Sequence, residues 1–204
     1  MTLEHDSQYF LELQTNTGWG QMLASFSRWC SPQNGQSALD VGCGPGLLPA
    51  LLGREGVRAF GIDQDTEMLR NTLHPGIAAG AATQLPFADH TFDLVTASNL
   101  LYLNPEPLPI LAEMIRVLRV GGWICLLNPS ERMTVREAER LAEARKLEGL
   151  ARDTLLNYGQ RAEDNYRWDA QDLQAMLARF GLSDFQTALR MGDGLVRYAR
   201  AKKP

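Results

Sequence analysis

The sequence predicts an α/β fold with a mostly parallel sheet, and three observations predict it. Short apolar runs alternate with amphipathic stretches between Ser37 and Leu127, and glycine clusters sit at the joins, at Gly42 to Gly46 and at Gly121-Gly122. After Pro129 the pattern changes to a charged helical stretch and then to two short runs parted by Gly192-Asp193-Gly194. Regular β-α-β alternation joined by right-handed crossovers leaves few arrangements other than parallel strands with helices on both faces.

The elements follow in order. From Leu11 to Cys30, the apolar positions Trp19, Met22, Leu23, Phe26 and Trp29 recur every three or four residues and predict one helix, ended by Ser31, Pro32, Asn34 and Gly35. Ser37 to Val41 reads as a strand entering a glycine turn, Leu47 to Arg54 as a helix stopped by Gly56, and Val57 to Ile62 as a second buried strand ending at Asp63. Asp65 can cap a short helix through Leu73, and Gly76 to Ala82 offers a weak third strand. Phe92 to Ser98 is a fourth strand, Pro107 to Leu118 a helix, and Trp123 to Leu127 a fifth strand. One long charged helix is expected from Val135 to about Leu156, with Leu141, Ala144, Leu147, Ala151 and Leu155 as its apolar stripe. Asp169 caps a helix over Ala170 to Phe180, and Phe185 to Leu189 with Leu195 to Ala199 predict a hairpin closing a sheet edge.

At 204 residues with 45% hydrophobic and 22% charged content, the chain is expected to fold throughout around one core. Residues 1–204 are therefore read as a single domain: an N-terminal helical cap over 1–36, a core over 37–128, a helical cap over 129–168, and a C-terminal helix and hairpin over 169–204. A net charge of −4 argues against a phosphate backbone as partner, and so against nucleic acid. The nearest approach to a basic patch is the tail Arg197, Arg200, Lys202 and Lys203, and the arginines between Arg132 and Arg167 alternate with acids and read as solvated helix faces. Cys30, Cys43 and Cys125 fit neither a disulfide framework nor a zinc site, which suggests a reducing, cytoplasmic setting. No secretory leader or membrane span is read, and His5, His74 and His90 lack metal-ligand spacing, so no metal is expected.

Asp40-Val41-Gly42-Cys43-Gly44-Pro45-Gly46 lies between a strand and a helix, where glycines let a ligand rest against bare main chain. A dinucleotide fingerprint needs a glycine where Leu47 stands, and a phosphate-binding P-loop needs a lysine and a hydroxyl residue where Leu47 and Leu48 stand. Asp63 follows at the distance, about 20 residues, at which a carboxylate can accept hydrogen bonds from a ribose. It could equally cap a helix, a task open to Asp65 as well.

Taken together, Ala38 to Gly46 resembles motif I of the class I S-adenosylmethionine-dependent methyltransferases. Gly61-Ile62-Asp63 resembles the second-strand acid of that family, Leu85-Pro86-Phe87 with Phe92-Asp93 its approach to the fourth strand, and Arg116 to Gly122 the helix leading to the fifth. The order and spacing agree over roughly residues 37–128, and the pattern is similar to that of small-molecule methyltransferases of quinone biosynthesis.

The resemblance implies a Rossmann-like, doubly wound, mostly parallel seven-stranded sheet with a C-terminal antiparallel hairpin. It implies S-adenosylmethionine as cofactor, S-adenosylhomocysteine as product and a small-molecule acceptor. Carried over, Gly42, Gly44 and Gly46 approach the methionine part, Asp63 holds the ribose, Gln64 lies against adenine, and Asp40 and the Ser98 carbonyl receive the ammonium. Ala81 stands where many relatives place an adenine-binding acid, leaving the Ala82 backbone and Thr83 as substitutes.

Asn99-Leu100-Leu101-Tyr102 lacks the prolines of the enzymes that methylate base amino groups, which argues against a nucleic-acid base as acceptor. Tyr102 is either a pocket wall or a proton acceptor, and His5 is a second candidate for the proton. Tyr9, Phe10, Trp19, Tyr158, Tyr166 and Trp168 either cover the cofactor or serve as core or interface residues. The alternatives to a methyltransferase are a NAD-binding oxidoreductase, opposed by the glycine spacing, and a catalytically silent protein that binds the same cofactor.

Overall fold

The computed structural model describes residues 7–204. Helices α1 (Ser7–Asn16) and α2 (Gly18–Trp29) precede strand β1 (Ser37–Val41), helix α3 (Leu47–Arg54), β2 (Arg58–Asp63) and β3 (Ile77–Ala79). Strand β4 (Phe92–Ser98), α4 (Pro107–Val117) and β5 (Leu118–Pro129) follow, then α5 (Val135–Ala144), α6 (Gly149–Glu163) and α7 (Ala170–Ala178). Strands β6 (Ser183–Arg190) and β7 (Val196–Lys202) complete one seven-stranded sheet of order β3-β2-β1-β4-β5-β7-β6. The first five strands pair in parallel, and β7 runs antiparallel to both β5 and β6.

Period-two alternation divides the core. Ala38, Leu94, Cys125 and Leu127 face one layer with α2, α3, α5 and α6, whereas Leu39, Val95, Ile124 and Leu126 face the layer of α4 and α7. Both faces of β1 and β4 are therefore covered, as the complete burial of β1 and the near-complete burial of β4 require of parallel strands. Among the described residues no helix is long and apolar enough to cross a membrane.

Two predicted helices are each two. The N-terminal one breaks at Thr17, whose hydroxyl donates to the Leu13 carbonyl at 2.6 Å and accepts from the Trp19 amide at 3.1 Å, capping α2. The long charged helix breaks after Ala144: Lys146 takes a left-handed φ of 53°, and α6 restarts at Gly149. The apolar stripe carries across that break, which is why periodicity alone reads through it. The short helix after Asp65 shrinks to a 3-10 turn over Met68–Asn71, and the third strand to three residues.

Candidate active site

The chain runs from β1 outward to β2 and β3, then returns to β4 on the other side of β1. That reversal opens a crevice beyond the carboxyl ends of β1 and β4, the position where open α/β sheets take ligands. A cavity of about 740 Å³ occupies it, within the usual range for a small-molecule site.

The glycine loop forms its floor. The Gly42 and Cys43 amides both donate to the Ile62 carbonyl, at 2.8 and 3.1 Å, which folds the loop back over β2. Gly42 has a φ of 72°, and a Cβ there would stand 2.9 Å from the Leu100 side chain, so the loop after β4 seats directly on it. At Gly44 the nearest atom to such a Cβ is the Gln14 Nε2 at 4.0 Å, which leaves the backbone open toward the cavity it lines. Asp63 ties loop to strand: its Oδ2 accepts from the Gly44 amide at 2.7 Å and its Oδ1 from the Asp65 amide at 2.9 Å. The Asp63 carboxylate thus caps the turn after β2 and holds the loop while lining the cavity with spare lone pairs.

Asp40 lies deeper, opposite Thr96 in the β1–β4 register, and accepts that hydroxyl's proton at 2.7 Å. Burial pushes its carboxyl up to about 7, against the lowering effect of the Thr96 hydrogen bond and with help from the Asp63 charge. Among the described residues no cation pairs with it. Asp63 is raised by burial as well, offset by the amides of Asp65 and Gly44. Burial pushes the Cys43 thiol up, so it packs as a neutral group.

The opposite wall comes from α1, α2, α6 and the 3-10 turn Leu101–Leu103. Tyr9, Phe10, Trp19 and Tyr102 give it aromatic surface, and α6 contributes Thr154, Asn157, Tyr158 and Arg161 from one face at helical spacing. The Trp19 and Tyr102 rings meet the Tyr158 ring edge-on, with centroids 5.4 and 6.1 Å away. Tyr102 is buried, and burial holds its phenol well above the usual range. Of the sequence-predicted site residues, Asp40, Gly42, Gly44, Asp63, Ser98 and Tyr102 line this one cavity. Gly46 instead caps α3, Gln64 and Thr83 are exposed, and Ala82 packs against the α4 layer; none of these four lines it. Tyr166 and Trp168 stack on each other at 5.3 Å away from the lining, and His5 lies outside the described residues.

Sequence reasoning missed Gln14 and the polar face of α6, including Arg161, which belongs to the cavity and not to a solvated face. The available signal was the i, i+3, i+4, i+7 spacing of Thr154, Asn157, Tyr158 and Arg161. Among the described residues the lining acids Asp40, Asp63, Asp65 and Asp164 outnumber the one lining arginine, Arg161, so the site suits a ligand carrying positive charge. Bare backbone at Gly44, a buried carboxylate without a cation, and a buried Gln14 Oε1 without a partner among the described residues fit the sulfonium and amino-acid end of S-adenosylmethionine.

Fold and site together define an α/β protein with a cavity at the β1/β4 crevice whose lining suits a cationic, nucleoside-bearing ligand. Residues 39–126 match the family model described as a methyltransferase domain. The demethylmenaquinone methyltransferase of Paenarthrobacter aurescens is 33% identical over 180 residues, covering 83% of this chain and 71% of the relative. An uncharacterized methyltransferase of Mycolicibacterium paratuberculosis is 34% identical over 144 residues, covering 65% of this chain and 54% of the relative. Matches to other mycobacterial methyltransferases span only 38 to 40% of those proteins' length. A SAM-dependent methyltransferase structure from Archaeoglobus fulgidus superposes with a TM-score of 0.70 at 15% identity, covering 97% of this chain and 100% of the other, a likeness of fold. The chain belongs to the S-adenosylmethionine-dependent methyltransferase family.

Proposed function

We propose that the protein transfers a methyl group from S-adenosylmethionine to a small-molecule acceptor bound against α6. The observation that carries this reading is the continuity of the cavity. One space runs from the glycine loop and Asp63, past Asp40 and Ser98, to the aromatic and polar wall of Trp19, Tyr102, Thr154 and Tyr158. Donor and acceptor thus share one enclosure, with no second chamber to cross. When bound, the cofactor supplies an electrophilic methyl on sulfur, so the protein's work is to hold the acceptor in line and keep water out.

The chain's residues divide that work. Asp63 accepts the ribose hydroxyls from a carboxylate already oriented by two amides. Asp40 and the Ser98 carbonyl receive the ammonium, and the open backbone at Gly44 admits the methionine chain. In this reading the adenine extends beyond the cavity lining toward Gln64, Ala82 and Thr83, and Gly46 fixes the start of α3. Tyr102, kept protonated by its burial, acts as a wall. The three buried thiols suit a reducing, cytoplasmic setting.

Calorimetric titration with S-adenosylmethionine and S-adenosylhomocysteine, with NADH as the contrasting ligand, tests the reading. Micromolar binding of the first two alone is expected. Asp63→Asn removes a charged acceptor worth roughly 1.5–3 kcal/mol, and so should weaken S-adenosylhomocysteine about ten- to hundredfold. Undiminished affinity in a folded variant overturns the ribose assignment, and binding of NADH alone overturns the function.

A further inference from the structure

The cavity contains buried polar groups that the cofactor residues do not account for. Asn99 and Thr154 line it, are 9% and 8% exposed, and carry buried atoms, Nδ2 and Oγ1, that have no hydrogen-bond partner among the described residues. Native proteins leave few such groups unpaired, and those at a cavity wall point to a polar occupant.

The Asn99 amide is held in one orientation. Its backbone sits in the left-handed region with φ of 57°, which asparagine tolerates better than most residues, and its backbone N–H donates to the Leu127 carbonyl at 2.8 Å. The buried Tyr158 hydroxyl donates to Oδ1 at 2.6 Å. No second acceptor reaches that hydroxyl among the described residues, so it donates to Oδ1, and Nδ2 keeps its donors unpaired within the wall that Asn99 contributes to the cavity. Burial keeps the Tyr158 phenol protonated, and the rings of Trp19 and Tyr102 fix it from two sides. Thr154 lies one turn before Tyr158 on the same face of α6.

We propose that Asn99 selects and orients the methyl acceptor by donating from Nδ2 to a lone pair on its oxygen or nitrogen, and that Tyr158 is the positioning residue that aims the amide. The proposal rests on the methyl-transfer reading and sharpens it. The acceptor bears a hydrogen-bond-accepting heteroatom, on a group flat enough to lie among the Trp19, Tyr102 and Tyr158 rings. A hydrocarbon of the same shape leaves Nδ2 unpaired in a dry site and is rejected for that reason. Asn99 does not take the acceptor's proton, because a carboxamide is no base at ordinary pH.

Acetophenone and α-methylstyrene differ by a carbonyl oxygen in place of a methylene and share a shape. Ligand-observed NMR titration of each, with and without saturating S-adenosylhomocysteine, is expected to give roughly five- to tenfold tighter binding of acetophenone. Asn99→Asp retains the Tyr158 hydrogen bond and the backbone conformation but presents an acceptor where Nδ2 stood, so the preference should vanish or invert. Tyr158→Phe frees the amide and should lose most of the preference while the S-adenosylhomocysteine affinity and melting midpoint report an intact fold. Equal binding of the two probes to the wild type, no binding of either, or a preference that survives Asn99→Asp overturns the proposal. Failure of S-adenosylhomocysteine to bind overturns instead the cofactor reading, and the ligand-free titration still decides the role of Asn99.

Discussion

Asp40 couples the protein's stability to its ligand affinity through one proton. An aspartate in the unfolded chain titrates near 4, and in the fold burial moves Asp40 to about 7. Below pH 4 both states carry the proton and nothing is lost. Between pH 4 and 7 the unfolded chain ionises while the folded protein keeps its proton, so stability falls steadily as pH rises. At about 1.4 kcal/mol per pH unit, the full loss above pH 7 is roughly 4 kcal/mol. Asp40→Asn retains an oxygen for the Thr96 hydroxyl and carries no charge. At pH 8 the ligand-free variant should therefore be more stable than the wild type by about 2–4 kcal/mol, or roughly 5–15 °C in Tm, and the two should converge at pH 4. A cationic ligand draws the proton off, so wild-type affinity for S-adenosylmethionine should rise through pH 7 with release of a proton near pH 6.5. The variant should bind more weakly and show neither effect. Calorimetric melting from pH 4 to 8, with titrations in two buffers of different ionisation enthalpy, measures both. Parallel pH profiles for the two proteins would refute the reasoning.

Two other substitutions test the frame around the site. Gly42→Ala places a methyl 2.9 Å from Leu100 at a φ of 72°, and should cost roughly 1–3 kcal/mol in urea unfolding while weakening S-adenosylhomocysteine. A neutral result there would mean that the β4 loop does not seat on the glycine turn. Glu131→Gln leaves the buried Arg197 guanidinium, now bonded at 2.9 and 2.8 Å to the two carboxylate oxygens, without its counter-charge. Because the Glu131 side chain is 35% exposed, the expected loss is about 1–3 kcal/mol, seen as a lower urea midpoint at unchanged slope.

What the sequence makes legible here is local. Asp40 to Gly46 and Asp63 could be read because the loop's turns need glycine, and a carboxylate ending β2 falls where the loop amides point. Strands β1, β4 and the later part of β5 were legible because burial on both faces makes them nearly continuous apolar runs, and β2 because Ala59, Gly61 and Ile62 are buried between exposed Arg58 and Phe60 and the terminal Asp63. Helix breaks were not, since Thr17 and Lys146 interrupt the backbone without interrupting the apolar stripe. The polar wall of the cavity opposite the glycine loop was least legible of all. Asn99 gains its meaning from Tyr158, 59 residues onward, and Gln14 reaches the loop from a helix whose own pattern is only weakly amphipathic. Periodicity reports which face of an element is buried, and says nothing of which distant side chain completes a polar pair.

The strand order β5-β7-β6 carries a consequence for how the chain is made. As the polypeptide leaves the ribosome, β6 emerges before β7, yet β6 touches the sheet only through β7. Until β7 arrives, β5 presents an open edge and β6 is a strand without a partner. Arrival of β7 also brings Tyr198, whose hydroxyl donates to the Met22 carbonyl at 2.9 Å, a contact spanning 176 residues between the two ends of the fold. Completion of the sheet thus waits for the last of its strands to be made. In that interval the nascent protein is most open to edge-to-edge association and most in need of chaperone cover.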